Sequence, residues 1–160
     1  MDVVALIIWI LTAGGGFVLL GTWIAKGGAR RDGTGSAFPP PVIFGHFLLA
    51  ATGLVLWIAY VATDNKTTGW IAFVLLGVVA LLGFAMFARW LPTYRSMGAA
   101  SMRPGHRTAA GAARSDVATA TRTDVDGPAE RHFPVPIVFG HGLLAATTLV
   151  LVLVSLLIAD

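Results

Sequence analysis

Apolar residues along this chain do not alternate and are not scattered. They fall in four unbroken blocks, residues 3–25, 42–62, 70–91 and 137–159, with polar connections between them. Each block is close to the roughly 20 apolar residues that cross the hydrocarbon core of a bilayer. In hydrocarbon an unpaired backbone N–H or C=O costs several kcal/mol, about the value of a hydrogen bond, and only a helix pairs them within one segment. Barrel strands would instead alternate over about ten residues. The pattern therefore predicts an all-α membrane protein, a bundle of four transmembrane helices.

The first block could pass for a secretory signal. It begins Met1-Asp2 without a basic leader, no Ala-x-Ala site precedes the second span, and it is read as a retained helix. Composition agrees: 56% of the 160 residues are apolar and 12% charged, against about 25% charged in soluble domains. There is no cysteine, which excludes disulfides, thiolate metal sites and cysteine nucleophiles. Nine arginines to two lysines, with abundant alanine and glycine, point to a GC-rich bacterial genome.

The charges sort by connection. Lys26, Arg30 and Arg31 follow the first span, and Arg89, Arg95, Arg103, Arg107, Arg114, Arg122 and Arg131 stand at the end of the third and in the loop after it. The positive-inside rule puts loops 26–41 and 92–135 in the cytoplasm, with both termini and the turn 63–69 outside, in a bacterial inner membrane. Trp23, Trp90 and Tyr94 are expected at the cytoplasmic interface and Tyr60 and Trp70 near the outer one, as an aromatic belt. Loop 92–135 is expected to be disordered, because its stretch 96–130 has almost no large apolar residues to bury. Its acids interleave with its arginines, which suits a solvated tether more than a lipid clamp. Threonines 108, 119, 121 and 123 are open to phosphorylation there. Nothing in this distribution forms a nucleic-acid surface; the expected partners are the bilayer, a membrane-complex subunit or a second copy of the chain.

The chain also matches itself. FPPPVIFGHFLLAATGLVL at 38–56 and FPVPIVFGHGLLAATTLVL at 133–151 agree at 14 of 19 positions without a gap. Both stretches run from the cytoplasm outward, which predicts a duplicated two-helix unit: a parallel 2+2 repeat with its pseudo-two-fold axis along the membrane normal. The first helices of the two units resemble each other only weakly. Pro41 and Pro136 suit a first helical turn, where no intrahelical N–H is needed. Gly45, Gly140, Gly15 and Gly77 are expected to serve packing.

Five residues beyond those prolines stand His46 and His141, the only histidines within the spans. That is about 7 Å along a helix at 1.5 Å per residue, inside the cytoplasmic edge of the hydrocarbon. An ionisable side chain there marks a functional site by default and usually faces the bundle interior. If both rings face the pseudo-axis they oppose each other, as the two axial ligands of one b-type haem must. Ring nitrogens much farther apart than roughly 4 Å would defeat this, given metal–nitrogen bonds of about 2 Å. Ala50, Gly53, Ala145 and Thr148 on the same faces would leave room for a macrocycle, and Arg30, Arg31 and Arg131 lie on the correct side to pair with propionates. A quinone at the same depth is the related alternative. The structural alternative is that each imidazole hydrogen-bonds a neighbouring helix and that duplication simply kept both.

No Asp, Glu or Lys lies deep in a span, which argues against ion-coupled transport. Neither a Ser-His-Asp set, a HExxH helix nor a phosphate loop is present. The sequence thus leaves two expectations: a non-catalytic accessory or structural subunit of the membrane, or a small redox protein holding one haem b, or a quinone, between His46 and His141.

Overall fold

The computed structural model describes residues 1–30, 36, 38–101 and 128–158. Four helices make up the architecture: α1 Asp2–Ala25, α2 Pro40–Thr63, α3 Lys66–Ser101 and α4 Val135–Ile158. Among the described residues there is no strand. All four helices are long and apolar enough to cross a membrane, α3 over Lys66–Arg95.

The helix ends follow local chemistry. Pro39 is the extended cap of α2, and Pro40 and Pro41 occupy its first turn, where fixed φ favours the helix and the missing N–H is not needed. Pro136 is the second residue of α4. Between α2 and α3 the chain reverses through Asp64 in the left-handed region, φ 51°, which aspartate tolerates better than most residues. The Asn65 carboxamide then accepts the Thr67 and Thr68 amides at 3.0 and 3.3 Å, capping α3. Thr22, Thr52, Thr63 and Thr147 each donate to the carbonyl four residues back on their own helices, which pairs these four hydroxyl protons.

Cross-helix contacts fix the directions. Asp2, Trp57, Gly69 and Leu156 gather at one end, where Trp57 Nε1 donates to the Asp2 carbonyl and Gly69 abuts Leu156 and Tyr60. At the other end Trp23 meets Phe44 and Trp90 meets Phe139. The bundle is therefore up-down-up-down, with the helices in ring order. Its closest packing runs along α1 with α4 and α2 with α3; α1 with α2 and α3 with α4 touch less, and the backbones of the diagonal pairs do not approach each other among the described residues.

Three layers fill the interior. Nearest the termini lies an apolar layer of Ala5, Trp9, Trp57, Tyr60, Ala72, Leu76, Val152 and Leu156. A histidine layer is in the middle. At the far mouth Trp23, Trp90, Phe38 and Glu130 are buried.

Several expectations need correction. Trp23, Trp90 and Tyr60 are not interfacial anchors: they are 0%, 2% and 2% exposed and pack inside the bundle. Trp70 and Tyr94 do reach the surface, at 41% and 39%. The loop expected to be disordered from 92 is helical to Ser101, continuing through Pro92, and its last part forms a 3-10 turn, Ala129–His132, with Ala129 and Glu130 buried. Arg31, Arg103, Arg107, Arg114, Arg122 and the four loop threonines lie outside the described residues.

Candidate functional site: an opposed histidine pair

His46 on α2 and His141 on α4 come from diagonal helices and face each other across the bundle, with ring centroids 6.4 Å apart and planes inclined at 60°. Each ring leans onto a neighbouring helix. His141 Nδ1 lies 2.9 Å from the Thr12 carbonyl oxygen. A carbonyl only accepts, so this bond needs the proton on Nδ1 and leaves the lone pair of a neutral imidazole on Nε2. The ring edge then fits against glycine: a Cβ on Gly16 would stand 3.2 Å from His141 Cε1, and one on Gly15 3.5 Å from its Cβ.

His46 lies against α3 at the matching place, without the hydrogen bond. A Cβ on Gly83 would also stand 3.2 Å from His46 Cε1. His46 Nδ1 is buried and turned to the Val79 backbone, stopping short of a full hydrogen bond. Thr12 and Gly16 are four residues apart, as are Val79 and Gly83, so each imidazole sits in a notch made by one carbonyl and the glycine one turn on. The Nδ1–Cε1 edges thus lie against α1 and α3, with Cδ2 on the opposite side of each ring.

Of the two rings, His141 is the one whose Nδ1 is tied to a backbone carbonyl. A metal-binding histidine ordinarily donates its other N–H to a carbonyl or carboxylate, which fixes its tautomer. Two axial imidazoles put their nitrogens about 4 Å apart and, adding about 1 Å from each nitrogen to its ring centre, their centroids about 6 Å apart. The observed centroid separation is 6.4 Å. A quinone accepting from both rings does not fit it: carbonyl oxygens about 5 Å apart and two hydrogen bonds of about 2.8 Å would put the nitrogens about 11 Å apart.

Other residues singled out in the sequence stand elsewhere. Gly53 opens no room for a macrocycle, because a Cβ there would meet Trp9 at 3.2 Å. Thr148 is buried against Thr12, their hydroxyls 3.2 Å apart. Ala50 and Ala145 are half-buried. Gly15 serves close packing, whereas a Cβ at Gly45, Gly77 or Gly140 would meet nothing within 4 Å. Arg30 and Arg131 are exposed.

The mouth below the histidines holds a network that composition concealed. Glu130 is 1% exposed; its Oε1 accepts from the Ser36 hydroxyl and, at 3.0 Å, from the Phe38 amide. Trp23 Nε1 donates to Ser36 Oγ at 2.9 Å, and Trp90 Nε1 to the Glu130 carbonyl at 3.2 Å. Phe38 and Phe133 stack above, centroids 6.5 Å apart. The notch carbonyls have no sequence signal, but the glycines do: Gly16-Phe17 and Gly83-Phe84 are each followed, at the same spacing, by Trp23 and Trp90. No family model, curated protein or solved structure matches the chain.

Proposed function

We propose that this chain is a small redox protein of the bacterial inner membrane that holds one b-type haem between His46 and His141. The observation that carries the reading is the opposition of the two rings at 6.4 Å, with Nδ1 of His141 tied to Thr12 so that Nε2 is left to ligate. When bound, the group supplies one-electron transfer within the bilayer. The protein's part is to fix both imidazoles before binding, in notches that glycine makes deep enough for a ring.

The same reading takes the bundle as a duplicated hairpin, with loops 26–41 and 92–135 cytoplasmic. Its support is the paired geometry. Phe38 stacks on Phe133 and His46 opposes His141, all at equivalent positions of the matching stretches. Placing Gly16 over Gly83 also aligns Ala5 with Ala72, Ala13 with Ala80, Phe17 with Phe84 and Trp23 with Trp90.

The test is the visible spectrum of detergent-purified protein, before and after dithionite, beside His46→Ala and His141→Ala. A Soret band that sharpens and red-shifts on reduction and is lost in both variants is expected. A featureless spectrum from protein expressed with ample haem would overturn the reading. It would favour the second one, a non-catalytic accessory or structural subunit, for which the His141–Thr12 bond already gives an imidazole a packing role; such a subunit would co-purify with a partner and tolerate both substitutions.

A further inference from the structure

Among the described residues Glu130 is the one acid at the mouth end of the bundle, and it is turned inward, 1% exposed, with Oε1 accepting from the Ser36 hydroxyl and the Phe38 amide. The cations of that end are turned the other way: Lys26, Arg30, Arg95 and Arg131 are all exposed. Each follows a member of the buried network. Lys26 caps α1 three residues past Trp23 and is followed by Arg30. Arg131 comes directly after Glu130, and Arg95 directly after Tyr94, whose ring stacks on that of Trp90 at 5.2 Å. The turn Ala129–His132 touches both α1 and α3, so Arg131 stands between the mouth ends of those two helices. The four cations also lie outside the stretch 96–130, where acids and arginines interleave.

Depth selects the partner. Lys26 is the C-terminal cap of α1, Arg95 ends the apolar span Lys66–Arg95, and Arg131 precedes α4 by four residues. The headgroup layer extends about 5–7 Å beyond the hydrocarbon on each side, so cations at span ends stand among lipid phosphates. Just inside the rim Ile24, Phe44 and Phe139 are exposed, the two phenylalanines packed on Trp23 and Trp90. A soluble acidic partner would meet the charges alone. A phospholipid meets both, its phosphate on the rim and its acyl chains on the side chains inside it. We propose that Lys26, Arg30, Arg95 and Arg131 form a binding surface for anionic phospholipid headgroups. Retention of basic residues on one side orients a bundle without selecting a lipid; this rim selects because its acid is spent inside the mouth. The proposal stands apart from the histidine reading.

The chain has no cysteine, so a charge can be removed and then restored. Protein in phosphatidylcholine vesicles receives a trace of spin-labelled phosphatidylglycerol or spin-labelled phosphatidylcholine, and electron spin resonance gives the fraction of label held at its surface. The wild type is expected to hold phosphatidylglycerol at least about fivefold more strongly, the factor that one basic residue near an anionic surface supplies. Arg30→Gln combined with Arg131→Cys should bring the two lipids to parity. Modification of that cysteine with a trimethylammonium thiosulfonate should return the preference, and an uncharged methyl reagent should not. Lys66→Gln, at the other end, should keep it, and circular dichroism reports the fold of each variant. Parity in the wild type overturns the proposal and leaves the rim to a soluble anionic partner. An unchanged preference in the folded double variant overturns the assignment to these residues. Loss of the preference in inorganic phosphate, but not in sodium chloride of equal ionic strength, overturns the lipid in favour of free phosphate.

Discussion

Glu130 Oε1 accepts the backbone amide of Phe38 at 3.0 Å, joining the turn before α4 to the start of α2. The same oxygen takes the Ser36 hydroxyl, and Trp90 holds the turn from the other side through the Glu130 carbonyl. Glu130→Ala would leave the Phe38 amide only the Ser36 hydroxyl, 3.0 Å away, as acceptor and would take from the Ser36 hydroxyl the carboxylate it donates to. Hydrogen bonds to a charged group contribute about 1.5–3 kcal/mol. A loss of about 2 kcal/mol is expected for Glu130→Ala, and less for Glu130→Gln, which keeps an oxygen in place. Thermal melts in one detergent check this; an unchanged Tm for Glu130→Ala would show that the carboxylate does not hold the mouth together.

Trp23 and Trp90 are expected to matter for stability, not for anchoring. Both are buried and both donate, to Ser36 and to the Glu130 carbonyl. Substitution by Phe keeps most of the ring and removes one hydrogen bond, a loss of about 1 kcal/mol each. Substitution by Ala also opens a cavity and should cost about 3–5 kcal/mol. Were they belt residues, both changes would leave the melt in place and alter only the depth of the helices.

The Thr12–Thr148 contact should contribute little, despite its burial. Thr12 donates its proton to the Ile8 carbonyl at 2.8 Å and Thr148 to that of Leu144 at 2.8 Å. Two hydroxyls hold two protons, and with both donated along their own helices none remains for the 3.2 Å gap between them. Thr148→Val keeps the shape and frees only one carbonyl that already accepts within its helix. Its stability is expected within about 0.5 kcal/mol of wild type, near the scatter of neutral substitutions. A larger loss would mean that the pair shares a proton across α1 and α4.

Most of the architecture was legible because bilayer physics is coarse: block length gives the helices, and Pro41 and Pro136 mark where two of them begin. His46 and His141 stood out because ionisable groups are scarce in such blocks. What the sequence hid has a common cause. Thr12 acts through its carbonyl, which carries no side-chain signature, and Gly16 and Gly83 become meaningful only once a ring is seen resting on them. Trp23 and Trp90 were misread because an indole at a span end is usually an anchor; here Ser36 and Glu130 supply acceptors that make burial cheaper. Glu130 itself sat at the edge of a polar stretch whose average composition outweighed a single acid.

The orientation can be settled with the same cysteine-free background. Lys26 and the mouth turn lie at one end of the bundle, while Asp2, Thr67 and the end of α4 lie at the other. Lys26, Arg30, Arg89, Arg95 and Arg131 all belong to the first end, against Lys66 among Asp2 and Asp64 at the second. Basic residues near span ends are retained on the cytoplasmic side, whereas acids contribute little to the bias. Thr67→Cys, exposed in the first turn of α3, should therefore react with a membrane-impermeant maleimide on intact cells, and Lys26→Cys only after permeabilisation. The opposite pattern would invert the assignment and move the histidine layer to the outer leaflet. Equal labelling of both sites on intact cells would mean that the bundle does not stand across the membrane, and would remove the low-dielectric setting on which the histidine argument depends.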